Sequence, residues 1–209
     1  MDTRARYGDP EFWEAYYTDK TIPFDWYITF DRFQELFFEH FPSGDENILE
    51  CGCGTSDLAI KLRGYDYPNV KCIDVSQNAI TIAQQQCIVN SLHVDIECFD
   101  ALNLSQEEGA QYDVVIDKGL LDCFFCADDS YHKIHRYLTG VSHVLKPGGK
   151  FVLITSGGKQ DRKCFVLKPE YKWELDAEET IALPIVRERA PLYQPGMKCC
   201  HLFIIQKSS

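Results

Sequence analysis

Apolar residues between positions 47 and 156 recur with two different spacings. Short apolar runs predict strands at 47–50, 70–74, 94–99, 112–116 and 150–155. Between these runs, apolar residues recur every three or four positions, which predicts helices starting near residue 58 and spanning about 78–90, 120–126 and 130–145. This order is typical of βαβ units, so we expect a parallel sheet with helices on both faces.

The alternation ends with the fifth strand, and the sequence predicts no helix after it. The Lys-Pro-Gly-Gly segment at 146–149 is expected to stop the preceding helix and turn the chain. Two longer strands are predicted at 172–183 and 199–206, joined by a turn region at 191–196 that carries two prolines and a glycine. We expect these strands to form an antiparallel pair at the sheet edge.

The segment before the first strand is rich in aromatic residues. Residues 12–27 contain most of them, and a helix at about 31–41 places Phe33, Phe37 and Phe41 on one face. We expect the aromatic segment to lie over the top of the sheet.

The composition is that of an acidic globular protein. Of the 209 residues, 45% are apolar and 25% are charged; the formal net charge is −11 and the pI is about 4.9. Nucleic-acid binding depends on clustered Lys and Arg, so the charge argues against such a partner and favours a basic one. No stretch approaches the roughly 18 apolar residues that span a bilayer, and the first residues lack the apolar region of a secretory signal. We therefore expect a cytoplasmic monomer without membrane contact.

Ten cysteines in such a chain indicate reduced thiols rather than a disulfide framework. Cys123, Cys126, His132 and His135 are zinc-ligand types, but the two histidines stand closer together than in the usual zinc motifs. The two cysteines also lie among leucines and phenylalanines, where cysteine behaves as a small apolar residue. We expect no metal site.

The first strand runs into Glu50-Cys-Gly52-Cys-Gly54 before the first helix begins. In open α/β sheets, ligands bind in the crevice beyond the strand ends. Two glycines allow the backbone to turn tightly and to approach a ligand closely, although an unliganded turn would leave the same pattern. Glu50 is a further candidate, more for orienting the loop than for acid–base work.

Asp74 ends the second strand, twenty residues beyond Gly54, and Val75 follows it. A carboxylate at this point can accept both hydroxyl hydrogens of a ribose; the alternative is a solvated aspartate at a strand end. A dinucleotide site would need Gly or Ala at position 57, but the chain has Asp57, whose charge repels a pyrophosphate. A nucleoside ligand without phosphates fits better.

Together these motifs resemble the class I S-adenosylmethionine-dependent methyltransferases. The shared features are the Glu-x-Gly-x-Gly loop, Asp74, the Phe-Asp-Ala at 99–101 and the Lys-Pro-Gly-Gly-Lys before the fifth strand. The resemblance implies a Rossmann-like α/β fold whose seven-stranded sheet has the order 3-2-1-4-5-7-6, with strand 7 antiparallel. It also implies S-adenosyl-L-methionine as the cofactor and S-adenosyl-L-homocysteine as the product.

Within this class, the segments 12–17, 24–27 and 113–122 are similar to the methyltransferase-like 13 branch. This branch includes the lysine methyltransferase encoded beside endothelin-converting enzyme 2, and its members methylate lysines of translation elongation factor 1-alpha. The loop, the strand ends and the resemblance together give the predicted cofactor-binding residues: Trp13, Tyr17, Trp26, Glu50, Gly52, Gly54, Asp74, Val75, Asp100, Ala101 and Lys118. Without the resemblance, core packing alone explains the three aromatic residues.

The predicted catalytic residues are Asp117, Lys118 and Asp122, which follow or end the fourth strand. The two aspartates can orient an incoming ammonium group, or they can cap the helix that comes next. By the resemblance we expect a protein-lysine N-methyltransferase acting on elongation factor 1-alpha or another basic protein. A small-molecule methyltransferase and a cofactor-binding module without turnover are the alternatives.

The whole chain is expected to form one domain over residues 1–209. It divides into an aromatic lid with a helix at 1–45, a cofactor-binding core at 46–156 and the C-terminal antiparallel strands at 157–209.

Overall fold

A computed structural model describes residues 6–19, 24–109, 111–183 and 197–208 of the chain. Within these residues, seven strands form one sheet in the order β3-β2-β1-β4-β5-β7-β6. The strands are β1 (Ile48–Cys51), β2 (Val70–Asp74), β3 (Asp95–Cys98), β4 (Tyr112–Lys118), β5 (Leu145–Thr155), β6 (Trp173–Ala182) and β7 (Cys199–Lys207).

The first five strands run parallel, and β7 is antiparallel to both of its neighbours, β5 and β6. The predicted order of strands is thus confirmed, including the antiparallel seventh strand. β1 pairs with β2 on one side and with β4 on the other. The chain reverses its direction of travel across the sheet between these pairs, which opens a crevice at the carboxyl ends of β1 and β4.

Helices pack on both faces of the sheet. The α-helices of the described residues are α1 (Pro10–Tyr17), α2 (Gln34–His40), α3 (Leu58–Gly64), α4 (Gln77–Val89), α5 (Leu120–Phe125), α6 (Ser130–Val144) and α7 (Lys159–Val166). Short 3-10 helices cover Phe30–Arg32, Ala101–Gln106 and Pro169–Tyr171. None of the helices described here is long and apolar enough to cross a membrane.

Two apolar cores lie on opposite faces of the sheet because neighbouring strand residues point to opposite sides. On β4, Val114 and Ile116 pack with α2, α3 and the aromatic segment, whereas Val115 packs with α5 and α6. All three side chains are fully buried. This double coverage explains why the strands appear in the sequence as continuous apolar runs.

Two predicted boundaries differ from the structure. β5 begins at Leu145 and includes 146–149, where the strand is irregular: Gly148 has φ +77°, and the register with β4 shifts between Tyr112 and Val114. The helix predicted at 31–41 is divided into the 3-10 helix Phe30–Arg32 and α2, with Phe33 between them. The predicted turn at 191–196 lies outside the described residues.

The prediction that no helix follows β5 is wrong, because α7 does. Its sequence is polar and has no apolar period, and only its last residue, Val166, is buried. An ion pair anchors the helix instead: Arg162 Nη2 donates a hydrogen bond to Asp122 Oδ1 at 2.8 Å. Asp122 also accepts from Thr155 Oγ1 at 2.6 Å and from Tyr27 Oη at 2.8 Å. The aspartate therefore joins α5, α7, the end of β5 and the aromatic segment.

We expect Asp122→Ala to lower the free energy of unfolding by about 3–5 kcal/mol, because it leaves the largely buried Arg162 guanidinium without its counterion. Urea denaturation measures this loss. Asp128→Ala is the matched control, since Asp128 is exposed on the turn after α5, and its expected change is within about 0.5 kcal/mol. Equal stabilities of the two variants would contradict this role of Asp122.

Candidate active site

A cavity of about 280 Å³ lies above the carboxyl ends of β1, β2 and β4. α1 forms its roof. Of the predicted cofactor-binding residues, nine line this cavity: Trp13, Tyr17, Trp26, Gly52, Asp74, Val75, Asp100, Ala101 and Lys118. Glu50 and Gly54 lie behind the lining. The structure therefore brings residues from five separate segments to one concave site of the kind that holds small ligands.

The turn after β1 forms the floor of the cavity and requires glycine at two positions. Gly52 has φ +66° and Gly54 has φ +53°, both in the left-handed region. A Cβ atom on Gly52 would lie 2.9 Å from the Leu120 Cβ, and one on Gly54 would lie 2.6 Å from the Tyr17 hydroxyl. The backbone here approaches the opposite wall more closely than a side chain would permit.

Asp74, at the end of β2, is buried in the wall of the cavity. Its Oδ2 accepts a hydrogen bond from Gly54 N and its Oδ1 accepts one from Ser76 N, both at 2.9 Å. Burial raises the pKa of this carboxyl, and the two amide hydrogen bonds act in the opposite direction. Each oxygen keeps a second acceptor site, so the carboxylate can also accept two ribose hydroxyls.

The aromatic residues of the roof both line the cavity and pack on one another. Pro10, Trp13 and Tyr17 share one face of α1 and line the cavity, together with Trp26. The rings also pack on one another, since Trp13 lies edge-on to Trp26 with centroids 5.7 Å apart and stacks with Tyr17 at 6.0 Å. Packing and cavity lining are therefore properties of the same rings; their contact with a cofactor stays a prediction.

The part of the cavity lining that follows β3 is mostly apolar. It comprises Phe99, Ala101 and Leu102 together with Asp100, and Phe124 also lines the cavity. Asp100 Oδ1 accepts a hydrogen bond from Leu102 N at 2.9 Å, which fixes the start of the 3-10 helix Ala101–Gln106. Apolar lining residues beside one carboxylate suit a flat heterocycle such as adenine.

Lys118 ends β4, is 5% exposed and lines the cavity beside the glycine turn. Its Nζ lies 2.8 Å from Asp25 Oδ1. The same oxygen accepts a hydrogen bond from Ser56 Oγ at 2.5 Å. Asp25 belongs to the aromatic segment and was not among the predicted site residues, although it lies inside the Phe-Asp-Trp-Tyr motif at 24–27.

Glu50 is buried beneath the glycine turn. Burial raises the pKa of its carboxyl to about 8; Lys118 opposes this shift, while Asp25 and Asp57 add to it. Cys72 Sγ donates a hydrogen bond to Glu50 Oε2 at 3.5 Å. With a pKa of about 8, Glu50 is mostly protonated near pH 7, so the charges below the turn are those of Asp25, Asp57 and Lys118. Two carboxylates against one ammonium group disfavour a phosphate at this end of the site.

Asp117 and Asp122 do not line the cavity. Asp117 is fully buried and accepts hydrogen bonds from Leu120 N at 2.8 Å and Leu121 N at 3.0 Å, so it holds the first turn of α5. Burial raises its pKa to about 7. Asp122 contacts side chains of other elements, as described above. The part that either aspartate plays in catalysis stays a prediction.

Several lining residues were missed by the sequence analysis: Tyr7, Gly8, Asp9, Pro10, Phe99, Leu102, Gly119, Leu120, Cys123, Phe124 and Lys133. Most lie within one or two residues of a predicted site residue. Tyr7, however, precedes α1, and Lys133 lies on α6. Of the four zinc-ligand candidates, only Cys123 faces the cavity, and the described residues contain no group of three or more potential ligands arranged around a metal position.

These features fit S-adenosylmethionine. The turn leaves no room for a side chain, a carboxylate lies at the end of β2, and apolar lining residues suit adenine. The two carboxylates and one ammonium group below the turn disfavour a phosphate. On a sheet of order 3-2-1-4-5-7-6 with an antiparallel seventh strand, this site defines a class I methyltransferase.

Comparison with known proteins identifies the family. A family profile described as a methyltransferase domain matches residues 42–188, and the chain belongs to this S-adenosylmethionine-dependent family. It is 30% identical over 183 residues to EEF1A lysine methyltransferase 4 of Mus musculus, covering 81% of this chain and 69% of that protein. It is 26% identical over 152 residues to the eEF1A lysine and N-terminal methyltransferase of Mus musculus, covering 71% of this chain and 22% of that protein.

Solved structures share the fold. The N-methyltransferase NodS from Bradyrhizobium japonicum, in complex with S-adenosyl-L-homocysteine, superposes with a TM-score of 0.59 at 16% identity, covering 86% of this chain and 87% of that one. An S-adenosylmethionine-dependent methyltransferase from Methanosarcina mazei superposes with a TM-score of 0.65 at 16% identity, covering 82% and 97%.

We expect Gly52→Ala to weaken S-adenosylhomocysteine binding by at least about tenfold, because the new Cβ would meet Leu120 and the backbone would be strained at positive φ. Isothermal titration calorimetry measures the Kd. Gly64→Ala is the matched control, since nothing lies within 4 Å of a Cβ at this last residue of α3. Wild-type affinity in Gly52→Ala would contradict the assignment of the turn.

We expect the Glu50→Gln variant to lose less folding stability than wild type as the pH rises. The folded carboxyl, with a pKa of about 8, holds its proton more tightly than the unfolded chain, in which the pKa is near 4.5. Ionisation of Glu50 therefore destabilises the fold progressively as the pH rises from about 4.5 to 8. In urea titrations across this range, the stability of the variant relative to wild type should increase with pH. Glu174→Gln, at an exposed position on β6, is the control, and its stability relative to wild type should not change with pH. A stability difference between Glu50→Gln and wild type that is constant across this pH range would contradict the interpretation.

Proposed function

We propose that this chain is a protein-lysine N-methyltransferase whose acceptor is elongation factor 1-alpha or another basic protein. The observation that carries the proposal is the 30% identity to mouse EEF1A lysine methyltransferase 4 across 81% of the chain. Further relatives named for the same acceptor, such as the bovine EEF1A lysine methyltransferase 4 at 26% identity, support it. A translation factor as acceptor implies an enzyme that acts in the cytoplasm.

The charge of the protein suits a basic acceptor. The chain carries a formal charge of −11, and an acidic surface raises the rate at which a basic partner is met. The same charge disfavours nucleic acid as the substrate.

The amine of the acceptor must lose a proton before it can attack a methyl group. From a pKa of about 10.4, this costs roughly 4.6 kcal/mol at pH 7. When bound, S-adenosylmethionine supplies a methyl group on a positively charged sulfur. The contribution of the protein is to exclude water with Trp13, Tyr17 and Trp26, which lowers the pKa of an ammonium group brought beneath them.

In this proposal, the ion pair with Asp25 holds Lys118 in the wall of the cavity. An ion-paired ammonium has no free electron pair, so Lys118 does not compete as an acceptor. In this proposal, Asp117 and Asp122 act on the reaction through the segment between them: Asp117 fixes the backbone after Lys118, and Asp122 fixes Tyr27, whose ring covers Gly119. In-line positioning of the acceptor contributes the remaining advantage.

The test is incubation of the purified chain with elongation factor 1-alpha and a methyl-labelled cofactor, followed by mass spectrometry of the acceptor. We expect label on a lysine, and an activity at least about tenfold lower for Asp74→Asn, which loses a charged acceptor for the ribose. Asp95→Asn, exposed on β3, is the control and should retain activity.

An unlabelled elongation factor together with measurable cofactor binding would reject this acceptor. Label in the low-mass fraction of a cell extract would indicate a small-molecule methyltransferase instead. Binding of the cofactor with no labelled product in any fraction would indicate a module without turnover.

A further inference from the structure

The helix that roofs the cavity is fixed at its amino end. Lys133 Nζ, on α6, donates a hydrogen bond to Gly8 O at 2.9 Å. Gly8 itself lies so close to the turn before α6 that an added Cβ would stand 2.4 Å from the Ala127 Cβ. α1 therefore starts from a defined point on one side of the cavity.

The helix is fixed on the opposite side through Glu14. Trp13 and Tyr17 face the cavity, and Glu14 lies on the adjoining face of α1, toward the start of α4. Its Oε2 accepts hydrogen bonds from Ser76 Oγ at 2.6 Å and from Asn78 N at 3.2 Å. Asn78 Nδ2 donates to the Glu14 backbone carbonyl at 3.0 Å.

The position of this carboxylate is electrostatically favourable. Ser76 is the N-cap of α4, which has thirteen residues, and the N-terminal amides of a helix carry a partial positive charge. A charged acceptor also makes stronger hydrogen bonds than a neutral one. The contact therefore joins α1 to α4 more firmly than an exposed ion pair would.

Ser76 connects the same contact to the cofactor site. Its side chain donates to Glu14, and its backbone N–H donates to Asp74 Oδ1. The other oxygen of Asp74 accepts from Gly54 N. Three hydrogen bonds thus run in series from the roof helix, through the carboxylate at the end of β2, to the glycine turn.

We propose that Glu14 is a positioning residue that latches α1 over the bound cofactor and, through Ser76, links the closed roof to the orientation of Asp74. The latch governs how long the cofactor stays in the cavity. This inference concerns cofactor binding alone, so it does not depend on the identity of the acceptor.

The test compares variants of the full chain by calorimetry and by stopped-flow fluorescence with S-adenosylhomocysteine, since Trp13 and Trp26 line the cavity. We expect Glu14→Ala to raise the Kd about tenfold, mainly through faster dissociation. Glu14→Gln keeps an acceptor oxygen without the charge and should give an intermediate Kd. Glu11→Gln removes the same charge from an exposed position on the same helix and should stay within about twofold of wild type.

A second variant separates the latch from general stability. In Asn78→Asp, the new carboxylate lies in the first turn of α4, where it favours the helix, but it repels Glu14 and loses the donor to the Glu14 carbonyl. We expect faster dissociation with an unchanged or higher Tm of the ligand-free protein. Wild-type dissociation rates in Glu14→Ala and Asn78→Asp would overturn the proposal. So would losses of affinity that simply follow losses of Tm.

Discussion

The site depends on one buried carboxylate that accepts a backbone hydrogen bond at each of its two oxygens. Asp74 accepts one backbone amide from the glycine turn and another from the start of α4, so a single side chain fixes the two segments that flank it. Burial would favour the protonated acid, and the two amides favour the charged form. Both Asp74 oxygens are therefore held in place by the protein itself, and the geometry of the turn and of the helix start depends on the same group.

The central part of this arrangement could be predicted from the sequence. Parallel strands buried on both faces leave apolar runs that are hard to mistake, and the glycines and Asp74 stand at strand ends, where the order of the sheet brings them together. The antiparallel seventh strand came from the family resemblance rather than from the strand pattern, which indicated only an antiparallel pair at the edge.

The rest could not be predicted because it depends on contacts between distant polar residues. α7 has no apolar period, and it is anchored by the ion pair between Arg162 and Asp122, which lies forty residues earlier in the chain. Asp25 and Lys118 form an ion pair although they lie far apart in the sequence, and neither residue type nor spacing indicates that pair. Asp117 and Asp122 illustrate the same difficulty, since a sequence shows two acids beside a strand end but not whether they face a cavity or a helix start.

The roof of the cavity lies outside the part of the chain that defines the family. The matched profile spans 42–188, whereas α1, Trp26 and Asp25 precede it and β7 follows it. A fragment cut at those limits would keep the glycine turn, Asp74 and Lys118. It would nevertheless leave Lys118 without its counterion, and it would separate β6 from β5, because β7 is the strand between them. The matched region is thus narrower than the part of the chain that lines the cavity and completes the sheet.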